Sequence, residues 1–271
     1  MERHPTFGVT VPERGWVPAP QYLLRRARVL EHMRRLPRGR VLEVGCGAGA
    51  LLDDLSRLGF DCTAIETSPA ALELARWIHR DNDKVRLVEE ADPAWRESFD
   101  VVLAFEVMEH IEHDREALAT WASWLRPGGS LLLSVPAHPD WWNPSDVWAG
   151  HYRRYSREGL DALLREVGLM PEHIESYGVP LHNVVHPVRA RMHARLMERE
   201  RREEDVRSQK AQGIKAQNTA RSGVERHGEL KIWPLIASWP GARMFQLFAW
   251  MQTWFLRTDL GTGYLAVARR P

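Results

Sequence analysis

The sequence contains two cysteines, Cys46 and Cys62, in 271 residues. So few thiols exclude a disulfide framework and fit a reducing, cytoplasmic compartment. A global charge is missing too: 37 Lys and Arg stand against 36 Asp and Glu, leaving +1, so no overall field draws the chain to nucleic acid. No apolar run reaches the roughly 18 to 20 residues of a membrane span. The polar, proline-bearing N-terminus lacks a signal-peptide core. Nor does any His, Cys, Asp and Glu spacing argue for a metal. What remains is globular material, 44% hydrophobic and 27% charged, which can bury a sizeable core.

Residues 1–20 carry four prolines and two glycines without a sustained period, which predicts an irregular arm that packs through Phe7 and Trp16. Leu23, Ala27, Leu30 and Met33 then fall three or four apart, predicting a helix between Gln21 and Leu36. From Arg40 to Pro136, short β-type runs alternate with helical ones, the pattern of a parallel sheet covered by helices. The predicted strands are Val41–Val44, Cys62–Glu66, Val85–Glu89, Phe99–Phe105 and Ser130–Val135, with further ones near Glu172–Tyr177 and Gly263–Ala268. Ser68 and Ser156 read as helix N-caps, and Pro127-Gly128-Gly129 as a turn after a helix.

About 80 residues separate the last two strands. Within them, Arg189 to Lys231 holds 12 Lys or Arg against 7 Asp or Glu, a local balance of +5. Residues 198–228 have few large apolar side chains and are expected to form a solvated helix or a mobile loop. A Trp- and Met-rich stretch from Trp233 to Leu256 follows, which Pro234 and Pro240 are expected to break.

The run Val41-Leu-Glu-Val-Gly-Cys-Gly-Ala-Gly-Ala50 reads as a strand entering a glycine turn and leaving as a helix. Glycines at 45, 47 and 49 let the backbone approach a ligand closely. Gly45, Gly47 and Ala50 equally satisfy the dinucleotide fingerprint, so spacing alone leaves a nicotinamide cofactor open. Glu43 suits a cationic, amino-acid-bearing ligand better than a pyrophosphate. Glu66, with Thr67 beside it, ends the second strand where a carboxylate can accept both ribose hydroxyls. Glu90 or Asp92, after the third strand, is placed to accept from an adenine amino group. Cys46 reads as a small packing residue in the turn.

Four stretches together carry a family resemblance: Val41 to Gly49; Ile65-Glu-Thr-Ser68; Phe99-Asp-Val-Val-Leu-Ala-Phe-Glu-Val-Met-Glu-His-Ile111; and Leu125-Arg-Pro-Gly-Gly-Ser-Leu-Leu-Leu-Ser-Val-Pro136. Their order and spacing resemble the motif series of class I S-adenosylmethionine-dependent methyltransferases. The Glu106-to-Ile111 string is similar to the ubiquinone and menaquinone branch and to bacterial tailoring enzymes. The resemblance implies an α/β fold: a Rossmann-like, doubly wound, seven-stranded sheet with an antiparallel last strand inserted beside the fifth. It also implies S-adenosylmethionine as cofactor, with contacts at Gly45, Gly47, Gly49, Glu66, Phe105 and Glu106. The expected organisation is an arm at 1–20, a methyltransferase domain at 21–178 and 259–271, and a helical insertion at 179–258 acting as substrate lid or interface.

A sulfonium methyl is already activated, so the protein's task is to align the acceptor and exclude water, with a base needed only for a protonated acceptor. His110, His151 and Tyr155 are the catalytic candidates, and His110 also borders the expected cofactor site. Trp141, Trp142, His151, Tyr152, Arg154 and Tyr155 are expected to line the acceptor pocket, with Tyr22 and Arg26 closing over the cofactor. The favoured acceptor is a small-molecule or peptide natural product. The alternatives are a membrane lipid such as a prenylated quinone, with residues 230–256 contacting the bilayer, and a non-catalytic cofactor-binding interaction protein; a homodimer is also considered.

Overall fold

The structure, a computed structural model, describes residues 2–204 and 227–271. Seven strands form the central sheet: β3 (Arg40–Val44), β4 (Asp61–Ile65), β5 (Val85–Val88), β6 (Phe99–Phe105), β7 (Leu125–Pro136), β8 (Met170–Tyr177) and β9 (Gly263–Arg269). Their spatial order is β5-β4-β3-β6-β7-β9-β8, with β9 antiparallel to both neighbours, as the resemblance implied. Period-two alternation divides the core. Val41, Val101, Leu103 and Leu132 face one side with α1 (Pro20–Arg35) and α2 (Ala50–Arg57), while Leu42, Val102, Leu131 and Leu133 face the other with α4 (Asp114–Trp124) and α6 (Arg157–Glu166). Burial of each such leucine contributes about 1.5–3 kcal/mol, so the sheet is fixed from both faces.

Two local expectations change. The N-terminal arm contains an antiparallel hairpin, β1 (Glu2–His4) with β2 (Gly8–Thr10), too short for a period to show in sequence. It packs through Phe7 and Trp16 as expected. Ser68 does not cap α3 (Pro69–His79) with its hydroxyl; its N–H instead donates to Glu66, whereas Ser156 does accept from Gly159 at the start of α6.

Residues 179–258 contribute α7 (Leu181–Glu204), α8 (His227–Ala237) and α9 (Trp239–Met251). The expected loop or helix at 198–228 is helical as far as Glu204, and residues 205–226 lie outside those described. Pro240 falls in the first turn of α9, where a missing N–H is harmless, while Pro234 sits inside α8 without ending it. Trp233, Ala242 and Phe245 pack on Phe7, Leu23 and Leu24, seating α8 and α9 against α1 and the hairpin. α7 meets α5 (Pro144–Ala149), where His193 stacks on Trp148 and lies 2.9 Å from Ser145 Oγ.

Candidate active site

The carboxyl ends of β3, β4 and β6, with the loops after β6 and β7, gather most of the candidate residues. At β3 the chain turns through Gly45, Gly47 and Gly49, all with positive φ. A Cβ on Gly45 would meet Val107 Cγ2 at 2.6 Å, so packing alone demands glycine there. On Gly47 it would meet no described atom within 4 Å; that face of the turn is open.

Glu66 lies beside this opening, mostly buried. Its two oxygens accept from the backbone N–H of Gly47 at 2.7 Å and of Ser68 at 2.8 Å, which fixes the carboxylate at the strand end. Glu43 is buried one strand away, and its Oε2 has no hydrogen-bond partner among the described residues. Burial pushes its carboxyl up to about 8, Arg25 pulls it back and Glu66 adds to the rise. An orphaned buried carboxyl oxygen is costly unless a ligand or water meets it. The Tyr22 hydroxyl is likewise buried and unpartnered.

Arg26 lies near the Tyr22 hydroxyl, but the arginine that acts on Glu43 is Arg25. Its guanidinium sits over the rings of Tyr22 and Phe105 and 3.6 Å from Glu106 Oε1. Arg26 instead binds Asp54 through two hydrogen bonds of 2.6 and 2.7 Å and reaches the Thr6 carbonyl, tying α1 to α2 and the hairpin. Glu106 has φ 56, an arrangement that costs a non-glycine residue about 1–3 kcal/mol. The hydroxyls of Ser134 and Tyr177, each 2.9 Å from Oε1, hold it in place.

Three residues on, Glu109 is fully buried and neither of its oxygens has a hydrogen-bond partner in good geometry. Burial raises its carboxyl well above the usual range, and the nearby Glu106 raises it further. His151 Nε2 lies 4.0 Å from Glu109 Oε1, while its Nδ1 lies 2.9 Å from Asp146 Oδ1. Burial alone would raise the Asp146 carboxyl, but His151 and Arg154 hold it low; Arg154 donates to it at 2.9 Å. His110 meets His151 edge-on at 4.8 Å between ring centres, and burial, aided by His151, pushes it down to about 4. Glu109, His110 and His151 each offer a ligand atom within 4.8 Å of the others. The fold thus assembles a metal-compatible trio that linear spacing did not suggest.

The remaining candidates differ in burial and in the partners they hold. Tyr155 is buried in the core and its hydroxyl donates to Asp114 Oδ2 at 2.7 Å, which makes it a strut between α4 and the loop after β7. Its surroundings raise the phenol far above its ordinary range, chiefly by burial and then by Asp114, opposing the expected role as a base. Trp141, Trp142 and Tyr152 are exposed, with Trp141 packed on His138 at 4.1 Å. Thr67, Glu90 and Asp92 are exposed, and Asp92 accepts from the Ala94 N–H. Sequence reasoning missed Arg25, Asp146 and Glu109. For Asp146, the signal was the Asn143-Pro-Ser-Asp146 capping box five residues before His151.

Residues 20–174 match a family profile described as a methyltransferase domain. The chain is 38% identical over 105 residues to a ubiquinone biosynthesis O-methyltransferase of Xanthomonas campestris pv. campestris, an alignment covering 37% of this chain and 44% of that protein. A protein of the same name from Bradyrhizobium diazoefficiens is 40% identical over 102 residues, covering 35% and 39%. The chain therefore spans less than half the length of these curated relatives. Among solved structures, the [4+2]-cyclase SpnF superposes with a TM-score of 0.56 at 19% identity, covering 99% of this chain and 87% of that one. A Haemonchus contortus phosphoethanolamine N-methyltransferase 2 in complex with S-adenosyl-L-methionine gives 0.53 at 17%, covering 91% and 52%. At these identities the structures share the fold. The motif series, the strand order and the match over more than half its length place the chain in the class I S-adenosylmethionine-dependent methyltransferase family.

Proposed function

We propose that this protein transfers the methyl group of S-adenosylmethionine to a small-molecule or peptide acceptor whose nucleophilic oxygen or nitrogen arrives protonated. The observation that carries the reading is the open face of Gly47, flanked by a clamped Glu66 and an orphaned Glu43 oxygen. These residues fit the cofactor: Glu43 would meet its ammonium group, and the remaining lone pairs of Glu66 its ribose hydroxyls. The bound cofactor supplies an activated methyl whose leaving group is a neutral thioether.

His151 is the base in this reading. Asp146, at its Nδ1, fixes the tautomer in which Nε2 is the acceptor, and stabilises the imidazolium formed when His151 takes the acceptor's proton. Glu109, held protonated by burial, adds no negative charge beside Nε2. His110, kept neutral, borders the same space. Trp141, Trp142 and Tyr152 would wall the acceptor, and the helices of residues 179–258 would cover it.

Incubation with methyl-labelled S-adenosylmethionine and a panel of phenols, quinols, amines and peptides tests the activity. Label should appear in at least one acceptor, with the transfer lost in His151→Ala. Label transfer unchanged in that variant would remove the base, and cofactor binding with no transfer across the panel would favour the non-catalytic alternative.

A further inference from the structure

α9 carries large apolar side chains on its outer face as well as its inner one, with Arg243 and Gln246 set among the outer ones. Ala242 and Phe245 point inward to the core shared with α1. On the opposite side, at 100° per residue, Trp239, Leu247 and Trp250 share one stripe. Trp254 follows in the next turn, and Leu235 and Ile232 of the preceding helix, α8, are exposed as well. These side chains are exposed: Leu235 by 74%, Trp239 by 72% and Trp254 by 61%. A surface helix of a globular domain normally turns a polar face outward, so a contiguous band of this kind marks a contact surface.

The charges within the band are basic, with single acids at its two ends. From Leu230 to Thr258 the sequence has no Asp or Glu, whereas Lys231, Arg243 and Arg257 are exposed; Glu229 and the exposed Asp259 flank this stretch. The Arg243 guanidinium lies over the Trp239 ring at 5.7 Å. Tryptophans interleaved with Lys and Arg suit a bilayer interface, where indoles sit at headgroup depth and cationic heads meet anionic phosphates. Pairing with a second copy is disfavoured by the same pattern, since a two-fold contact would press these cations against each other. No helix among the described residues is long and apolar enough to cross a membrane, so contact here would lie in the interface plane.

We propose that the outer face of α8 and α9 docks this protein on an anionic membrane surface. The inner faces of the same helices rest on α1, which carries Tyr22 and Arg25 beside the glycine turn. Docking therefore turns α1 and the site behind it toward the lipid, and among the small-molecule acceptors of the proposed reaction it favours an amphipathic one that partitions into the bilayer. That substrate class rests on the proposed methyl transfer; the docking itself does not, and it is read without turnover.

The test is sedimentation of the full chain with phosphatidylglycerol/phosphatidylcholine vesicles and with phosphatidylcholine vesicles alone, with S-adenosylhomocysteine titrated by calorimetry into every variant. Wild type should partition onto the anionic vesicles and more weakly onto the neutral ones. The variant Trp239→Ser/Trp250→Ser/Trp254→Ser should lose at least about tenfold in partitioning, and Arg243→Glu/Arg257→Glu should lose the anionic preference, each with unchanged S-adenosylhomocysteine affinity. Absence of wild-type partitioning, or equal partitioning by a folded variant, would overturn the proposal. So would a wild-type dimer, seen by light scattering, that the tryptophan variant turns into a monomer while vesicle binding stays absent. Lost cofactor affinity in wild type with vesicle binding intact would instead count against the methyl-transfer reading alone.

Discussion

The two halves of the candidate site handle buried charge in opposite ways. Around the glycine turn, Glu66 is held by two backbone N–H groups, a rigid arrangement set by the turn itself. Around His151, side chains hold one another: Asp146 of α5 meets the His151 ring and accepts from Arg154 in the loop after it, while Glu109, from the turn after β6, is buried beside them without a hydrogen-bond partner among the described residues. Backbone-built sites follow from the fold and suit a constant ligand. A side-chain-built site can be rewritten residue by residue, which suits the half that meets a variable acceptor.

This contrast predicts separable effects. His151→Ala should lower methyl transfer by about 100-fold or more while S-adenosylhomocysteine affinity stays within about twofold. Steady-state rates beside calorimetry check this; a parallel loss of affinity would show that the two halves are one unit. Asp146→Asn should cost less, about tenfold in rate. An unchanged rate would leave Asp146 a scaffold residue.

Glu43 sharpens the comparison through stability. Its folded-state value of about 8, against 4.5 for the free group, means the folded protein keeps a proton that the unfolded chain releases. Its contribution to stability is thus full below about 4.5 and lost as pH rises through about 8. Glu43→Gln should flatten that fall in denaturant titrations run at several pH values, and should weaken S-adenosylhomocysteine a few-fold. His110 has the opposite sign: lowered from 6.5 to about 4, it favours the folded state above 6.5 and withdraws that support as pH falls toward 4. The smallest effect belongs to Tyr155→Phe, expected to cost roughly 1 kcal/mol in chemical denaturation through the lost Asp114 contact. Its rate and cofactor affinity should match wild type; a large drop in rate would return Tyr155 to the catalytic group.

The sheet was legible because buried strands and amphipathic helices write their periods into the sequence, and because glycines 45, 47 and 49 mark a turn of positive φ that favours glycine. Glu66 was readable from its distance to that turn. Arg25 and Arg26 were not separable, since both lie on the side of α1 that carries Tyr22; only the position of Asp54 shows which is already engaged. Asp146 and Glu109 acquire meaning from contacts across the loops after β6 and β7, which no local period encodes. The outward face of α9 was visible as composition, but its exposure depends on which side packs against α1.

The central claim is that the cofactor lies at the glycine turn between Glu43 and Glu66, and calorimetric titration of S-adenosylhomocysteine into wild type and Glu66→Ala, with NAD as control, tests it most directly. The account predicts saturable binding to wild type, a loss of roughly 10- to 100-fold in Glu66→Ala, and no binding of NAD. Equal affinity in the two folded proteins, or binding of NAD in place of S-adenosylhomocysteine, would contradict it.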